Sequence, residues 1–166
     1  MTLLKIFSEE LASEAQITRK MLERIPDDKF GWQPHPKSMT IKRLATHISD
    51  LPNWIAMALT TEELDFQNNN WEEPDLNTTA ELLANLEKAV VNGENALANG
   101  KEEILDEPWV LRSGDQIFLT TKKREMIRTS LNQITHHRAQ LGVFLRLLDI
   151  PIPGSYGPSA DENGFA

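Results

Sequence analysis

The fold of this chain is indicated most clearly by the stretch Gln133-Ile134-Thr135-His136-His137-Arg138-Ala139-Gln140-Leu141. At about 100° per residue, an α-helix through this stretch separates the two adjacent histidines. His137 falls on an apolar face that is defined by Ile127, Leu131, Ile134, Leu141, Leu145 and Leu148. His136 points about a quarter-turn away from that face, whereas Gln133 lies on its edge, one turn before His137. The pattern predicts a helix that projects ligand-type side chains into a core.

A second histidine lies in another apolar helical stripe earlier in the chain. His47 is predicted to face inward from a helix over residues 41–64, together with Leu44, Ile48, Leu51, Ile55 and Ala58. Two imidazoles that project inward from different helices suggest a metal site in the core of a bundle. The alternative is that each is a core histidine bonded to a backbone carbonyl. A glutamine beside them argues against a metal, because a neutral amide is a poor ligand for zinc or nickel.

Helical signals dominate the rest of the chain. The spacing of apolar residues at three- and four-residue steps, together with capping residues, predicts four helices. They cover residues 2–25, 41–64, 78–99 and 121–148. Pro52 is expected to kink the second helix, since proline removes one helical hydrogen bond. We predict a loop at 30–38, a polar connector at 67–76, a short hairpin around Ser113-Gly114-Asp115 and a Pro/Gly-rich, non-helical tail from residue 150. His35 lies between two prolines of the loop and is expected to be exposed, without a role. The predicted fold is an all-α four-helix bundle that forms one domain over residues 1–166.

The composition narrows the class of protein. The chain has 166 residues, no cysteine and a net charge of −8. Disulfides, thiolate metal sites and cysteine nucleophiles are therefore excluded, and histidine, carboxylate, amide or water remain as metal ligands. The net negative charge argues against binding to nucleic acid or to an anionic membrane, because both are themselves negatively charged. The first residues do not resemble a signal peptide and no segment has the length of a membrane span, so we expect a cytoplasmic protein.

Several motifs together resemble one known family. They are Trp32-Gln33-Pro34-His35-Pro36-Lys37-Ser38, Leu44-Ala45-Thr46-His47-Ile48, the run Leu131–Leu141 with Phe144-Leu145-Arg146, and Tyr156-Gly157-Pro158-Ser159-Ala160-Asp161-Glu162. In combination, and over nearly the whole chain, these motifs are similar to the DinB family of bacterial damage-inducible proteins. That family belongs to the DinB/YfiT-like superfamily of metalloenzymes.

The resemblance implies a four-helix bundle, often a homodimer, with a divalent metal such as nickel, zinc or iron. Three residues hold the ion, usually histidines, one from the second helix and two from the fourth helix at i, i+4. His47 matches the first position and His137 the last. Gln133 stands at the middle position, where the family usually has histidine. Two imidazoles, an amide and water predict a weak site, or none.

Three further residues are candidates for lining a pocket, each with a structural alternative. Trp54 could wall a substrate pocket or pack as a core aromatic. Arg138 could bind an acidic substrate or form a structural ion pair. Tyr156 could fold over the mouth of the bundle with the tail or pack as an ordered terminus. Val143 and Leu147 form a second apolar strip on the fourth helix, which suggests the seam of a homodimer.

Two functions follow from these expectations. The first is a metal-dependent transferase or hydrolase that acts on a small molecule. Relatives in the superfamily include thiol-dependent S-transferases, and a metal could activate a thiol or a water at neutral pH. The second is a non-catalytic, stress-related binding or scaffold bundle with a degenerate metal site, which Gln133 favours. Nucleic-acid binding, which the damage-inducible label suggests, conflicts with the acidic charge.

Overall fold

Four α-helices account for most of the described residues, which are 2–68 and 74–163 in the computed structural model. They are α1 (Leu3–Leu22), α2 (Ile41–Thr60), α3 (Thr79–Asn99) and α4 (Lys123–Leu147). Both α1 and α2 pack against α3 and α4, and they contact each other little, so α1 and α2 are diagonal in the bundle. The predicted bundle is confirmed. Residues 69–73 of the predicted connector lie outside the described residues.

Threonine side chains begin three of these helices. Thr2 accepts a hydrogen bond from the Lys5 N–H, and Thr40 accepts one from the Arg43 N–H. Thr78 forms a reciprocal capping box with Glu81. Each bond satisfies a backbone donor that has no partner within its helix. These caps fix where α2 and α3 start, and thereby set the register of the residues that α2 projects inward.

The prediction of a purely helical fold was wrong in one respect. The structure contains a three-stranded sheet in the order β1 (Glu63–Asp65), β2 (Pro108–Ser113) and β3 (Gln116–Lys122). The hairpin of β2 and β3 was predicted, and Gly114 adopts a φ of 55° in its turn. Strand β1 was not predicted. It pairs in parallel with β2, and the second helix ends at Thr60 instead of residue 64.

One carboxylate explains why the chain leaves helix α2 early. Asp65 is buried, and its Oδ1 accepts hydrogen bonds from the N–H groups of Gly114 at 2.9 Å and Gln67 at 3.0 Å. The Nδ2 of Asn68 donates to its Oδ2 at 2.7 Å. A buried carboxylate needs such donors, and the helical conformation would carry Asp65 away from the turn. β1 is therefore held by a tertiary contact.

The core consists of two apolar clusters along the bundle. One includes Leu22, Ile41, Leu44, Leu82 and Leu141, and the other includes Leu11, Ile55, Leu97, Trp109 and Ile127. Buried polar side chains lie near the junction of the clusters, on α1, α2 and α4; they are Glu14, Thr18, Ser49, Asp50, His137 and Arg138. Burial of polar groups costs free energy unless they are paired. We therefore expect a functional site at this level of the bundle.

The closest approach of α3 to α2 depends on a glycine. Pro52 lies within α2 and is buried, and a Cβ atom on Gly93 would lie 3.0 Å from the Pro52 carbonyl oxygen and 3.0 Å from Leu11 Cδ2. We expect Gly93→Ala to destabilise the protein by roughly 1–2 kcal/mol, because overpacking against backbone outweighs alanine's better helix propensity. Urea unfolding measures the change. Gly31→Ala is the control, since nothing lies within 4 Å of its added Cβ; equal stability of the two variants would contradict the prediction.

No helix within residues 2–68 and 74–163 combines the length and the apolar character that crossing a lipid bilayer requires. The C-terminal residues 150–163 form no helix or strand and lie against α1 and α4. Arg146 pairs with Asp161, and Arg24 pairs with Glu162. These contacts hold the tail on one side of the bundle.

Candidate metal centre

The packing of α2 against α4 brings together the three residues that the sequence predicts as metal ligands. His47 lies on α2 between Leu44 and Ile48, which anchor that face in the core. His137 is buried on α4, whereas His136 is exposed, in agreement with the helical period. The two inward rings, of His47 and His137, have centroids 4.9 Å apart and planes inclined at 75°.

Both inward imidazoles point their Nε2 atoms at the same oxygen. His137 Nε2 lies 2.9 Å from Gln133 Oε1, and His47 Nε2 lies 3.5 Å from that atom. At metal–ligand bond lengths of roughly 2.0–2.1 Å, two ligand atoms lie about 3.0 Å apart at a right angle and about 3.4 Å apart at the tetrahedral angle. The spacing of these donors thus suits adjacent positions around one divalent ion.

The contacts of a second glutamine match the tautomer of His137 that carries its proton on Nδ1. Gln140 Nε2 lies 3.1 Å from His136 Nε2, and an amide nitrogen can only donate. Gln140 Oε1 therefore faces His137 Nδ1, at 2.9 Å, and accepts its proton in a hydrogen bond. The Nε2 of His137 is left with a lone pair that points at Gln133. This is the orientation that a metal-ligating histidine needs, with its other nitrogen held by a hydrogen bond.

The donor set is weaker than that of an ordinary metal centre. Across residues 2–68 and 74–163, no three His, Cys, Asp or Glu side chains are grouped so that they could hold an ion. The third donor here is an amide oxygen, which is a poor ligand for zinc or nickel. Without a cation, the lone pair of His137 Nε2 would face that of Gln133 Oε1, unless the Gln133 amide turns its NH₂ group towards the ring. The positions of these donor atoms suit a divalent ion. The set contains no anionic ligand that would balance the charge of the ion.

Solvent reaches this cluster from one side. A depression of about 400 Å³ is lined by Thr129, Asn132, Gln133, His136 and His137. All of these residues come from α4, between its second and fifth turns. A small ligand or water could therefore approach Gln133 and His137 along α4 without any rearrangement of the helices.

Burial keeps His137 neutral. Removal from water lowers the pKa of His137, and the neighbouring His47 and His136 lower it further, although the Gln140 hydrogen bond opposes them. A histidine with a lowered pKa in the folded state binds fewer protons than the unfolded chain just below the usual value of about 6.5. It therefore stabilises the fold at higher pH, and this stability is lost as the pH falls from about 6.5 through the folded pKa. The same neutral form is the one that can bind a metal.

We expect the pKa of the His137 ring to lie below about 6.5. We also expect the free energy of unfolding to decrease as the pH falls from about 6.5 through that pKa. NMR titration of the ring protons gives the pKa, and urea unfolding at several pH values gives the stability. His137→Gln should lessen the pH dependence of unfolding in the same window. An apparent pKa above about 6.5 for His137 would contradict the prediction.

Sequence reasoning missed two residues at this site. Gln140 is one, and its role depends on contacts with both histidines of α4. Asp50 is the other: it is buried one turn along α2 from His47, and its carboxylate accepts a hydrogen bond from Asn53 at 2.8 Å. Burial raises the pKa of Asp50, while Asn53 and the charge of a protonated His47 lower it. Asp50 follows His47 by three residues, a spacing that puts both side chains on one face of a helix. This spacing could have indicated their proximity, but carboxylates are usually predicted to lie on the surface.

Arg138 and Tyr156 lie in a different cluster, between α1, α4 and the tail. The guanidinium of Arg138 is buried; it pairs with Glu14 Oε2 at 2.6 Å and donates to Thr18 Oγ1 at 3.0 Å and to Tyr156 Oη at 2.7 Å. The Tyr156 hydroxyl donates to the Glu14 carboxylate, 2.7 Å from Oε1, and lies 3.2 Å from the hydroxyl of Thr135. The structural alternative for Arg138, an ion pair, is what the structure contains. Trp54 is half-buried and packs against the apolar cluster around Ile55.

The fold resembles that of several solved proteins. A DinB-like protein from Bacillus subtilis superposes with a TM-score of 0.69 at 18% identity, over 95% of this chain and 99% of that chain. A DinB-like protein from Bacillus cereus gives 0.67 at 20% identity, over 90% and 95%. A mycothiol-dependent maleylpyruvate isomerase gives 0.61 at 16% identity, over 86% of this chain and 63% of that chain. At such identities the likeness concerns the fold.

The comparison by sequence covers nearly the whole chain. No curated protein matches it. The family model does, over residues 2–163, and this span includes both histidine-bearing helices, the hairpin and the tail. The chain therefore belongs to the DinB family.

Proposed function

We propose that this protein is a metal-dependent enzyme of the DinB type that acts on a small molecule. His47, Gln133 and His137 would hold a divalent nickel, zinc or iron ion. The observation that carries the proposal is the convergence of two imidazole Nε2 atoms on one amide oxygen, at 2.9 and 3.5 Å. These two separations are close to those of adjacent donor atoms around one ion with bond lengths of roughly 2.0–2.1 Å.

The chain's own residues supply positioning. Gln140 holds the Nδ1–H of His137, so Nε2 is available as a donor at neutral pH. The lowered pKa of His137 reduces competition from protons. A divalent ion, when bound, lowers the pKa of a coordinated water or thiol and so provides a nucleophile near pH 7. Asp50 is a buried carboxyl near His47 that could hold a proton beside the site.

The reaction class that we favour is thiol-dependent transfer to a small electrophile, with metal-assisted hydrolysis as the variant. Membership in the DinB family and the shared fold with a mycothiol-dependent maleylpyruvate isomerase support a thiol as co-substrate. The open depression beside Gln133 and His137 would admit a low-molecular-weight thiol. The chain has no cysteine, so a reacting thiol would have to come from such a co-substrate.

Elemental mass spectrometry of the untagged protein tests the proposal, beside His47→Ala and His137→Ala. His35→Ala is the matched control, because His35 is exposed in the loop before α2 and its Nδ1 bonds to the Lys37 N–H. We expect metal in the wild-type protein and in the control, and its loss in both other variants. Wild-type protein that takes up no added nickel, zinc or iron would overturn the proposal. The loaded protein is then assayed for thiol consumption with a chromogenic aryl halide.

The alternative is a non-catalytic bundle whose site has lost its metal. Gln133 is the observation that favours it, because no third charged or imidazole donor completes the set in the described residues. In that case the glutamine would serve as a hydrogen-bond partner of the two histidines. Such a protein would stay metal-free under saturating metal and would show no thiol consumption.

We further propose that the protein is a homodimer through the outer face of α4. Val143 and Leu147 are each 59% exposed, and they lie one helical turn apart. An apolar strip of this kind can pack against its own copy about a twofold axis. The double variant Val143→Glu, Leu147→Glu should sediment as a monomer. Val91→Glu, at an apolar residue of α3 that is 54% exposed, is the control; dimers that resist the double substitution would contradict the proposal.

A further inference from the structure

A second cavity adjoins the candidate metal centre on the side away from Gln133. It measures about 370 Å³ and lies between the loop residues 37–39, Leu44 of α2, and Gln140, Val143 and Phe144 of α4. Leu44 is buried and forms part of its floor. Phe144 is fixed by an edge-on contact with Trp32, with ring centroids 5.7 Å apart. The volume lies at the lower end of the range for small-molecule sites, roughly 300–1,000 Å³.

Gln140 connects this cavity to the metal-ligand candidates. Its side chain lines the cavity, and its Oε1 accepts the Nδ1 proton of His137 at 2.9 Å. A molecule in the cavity would thus lie one side chain away from the His137 imidazole. Changes at Gln140 on binding should therefore be transmitted to the ring of His137.

The rim of the cavity is organised by His35, for which the sequence predicted no role. His35 is exposed as expected, but its Nδ1 accepts a hydrogen bond from the Lys37 N–H at 3.1 Å. Its carbonyl accepts one from the Ser38 N–H at 2.8 Å and one from Gln33 Nε2 at 3.0 Å. These bonds close a tight turn over residues 35–38, with Pro36 inside it. The turn holds Lys37 and Ser38 at the mouth of the cavity.

The charge at this rim is positive and is not neutralised within the described chain. Most basic side chains of the protein form ion pairs, whereas Lys37 has no carboxylate partner among residues 2–68 and 74–163. None of the residues that line the cavity is acidic. In a protein with a net charge of −8, a lysine that lines a cavity without acidic residues favours an anionic ligand there.

We propose that this cavity binds a small organic monocarboxylate with a short apolar body. The Lys37 ammonium pairs with the carboxylate at the rim, and Leu44 and Phe144 contact the body. The single ammonium of Lys37 balances the one negative charge of a monocarboxylate. The assignment of this carboxylate as a substrate rests on the proposed function, whereas its binding does not need the metal.

The test uses full-length protein that has been stripped of metal with a chelator. Benzoate, phenylacetate and hexanoate are titrated into ¹⁵N-labelled protein, with benzamide as the uncharged counterpart of benzoate. We expect shifts at Gln140, Phe144 and the His137 ring, and weaker binding of benzamide. Lys37→Gln should weaken carboxylate binding roughly fivefold or more, the effect of one ion pair worth about 1 kcal/mol. Lys88→Gln, which removes the same charge from an exposed position on α3, should leave it unchanged.

Three outcomes would overturn the inference: no shift at Gln140 or Phe144 at the highest soluble concentration of each probe, benzamide binding as tightly as benzoate, or unchanged binding in Lys37→Gln. The metal-free protein separates this inference from the proposed function. Carboxylate binding by a protein that takes up no metal would support the cavity and reject the enzyme. Metal uptake without carboxylate binding would support the enzyme and reject the cavity as a carboxylate site.

Discussion

Replacement of Gln133 by histidine is expected to raise the affinity for Zn²⁺ or Ni²⁺ by about 100-fold or more. Loss of a residue that merely orients a ligand already costs 10–100-fold in affinity, and here a strong ligand would replace a weak one. The new imidazole would stand one turn before His137, on the same face of α4, where Gln133 Oε1 now meets both Nε2 atoms. Competition with a chromogenic chelator measures both affinities under identical conditions.

The design needs a control for an added surface imidazole. Lys88→His serves, because Lys88 is exposed on α3, a helix whose sequence contains no histidine. Its zinc affinity should equal that of the wild-type protein. Affinity that is equally low in Gln133→His would mean that the three donors do not converge in solution, and the non-catalytic alternative would then be preferred.

The largest expected effect on stability is that of Arg138→Met. This change leaves the Glu14 carboxylate buried without its cation, and breaking a buried ion pair from one side costs about 3–5 kcal/mol. Tyr156 and Thr135 can still donate to Glu14, which places the expected loss nearer the lower end of that range. Urea unfolding at fixed protein concentration measures the loss.

Two companion variants make the Arg138 result interpretable. Arg128→Met removes a cation from an ion pair with Glu125 that is largely exposed, and should change the free energy of unfolding by about 1 kcal/mol or less. Arg138→Met combined with Glu14→Gln removes both charges and should recover part of the loss, because no charge is left buried alone. An effect of Arg138→Met no larger than that of Arg128→Met would contradict the assignment of a buried pair.

The inward position of His137 and the outward position of His136 were predictable from sequence. Both depend on the 3.6-residue period, which holds along α4 because leucine and isoleucine recur at each turn. The hairpin was predictable for a similar local reason, since Gly114 supplies the positive φ of its turn. The sequence also predicted that Thr78 or Thr79 caps the third helix, and Thr78 is the N-cap of α3 in the structure.

Features that depend on distant contacts were not predictable from the sequence pattern. Strand β1 is held in place because Asp65 accepts a hydrogen bond from the Gly114 N–H, in a turn 49 residues later. The partner of Arg138 lies on α1, at Glu14, and no period on α4 indicates it. The contacts of Gln140 and His35 are local, and they were not predicted for a different reason. They depend on side-chain rotamers, which the spacing of apolar residues does not specify.

The meeting of two imidazoles on Gln133 also bears on how such a site evolves. In the genetic code, the two glutamine codons differ from those of histidine only in the third base and from those of glutamate only in the first. A single base substitution at codon 133 would therefore place either an imidazole or a carboxylate where an amide oxygen now lies between His47 and His137. The helices, their caps and the Gln140 contact would need no change. Lineages of this fold could thus gain and lose metal chemistry by one mutation, while selection on the scaffold continued undisturbed.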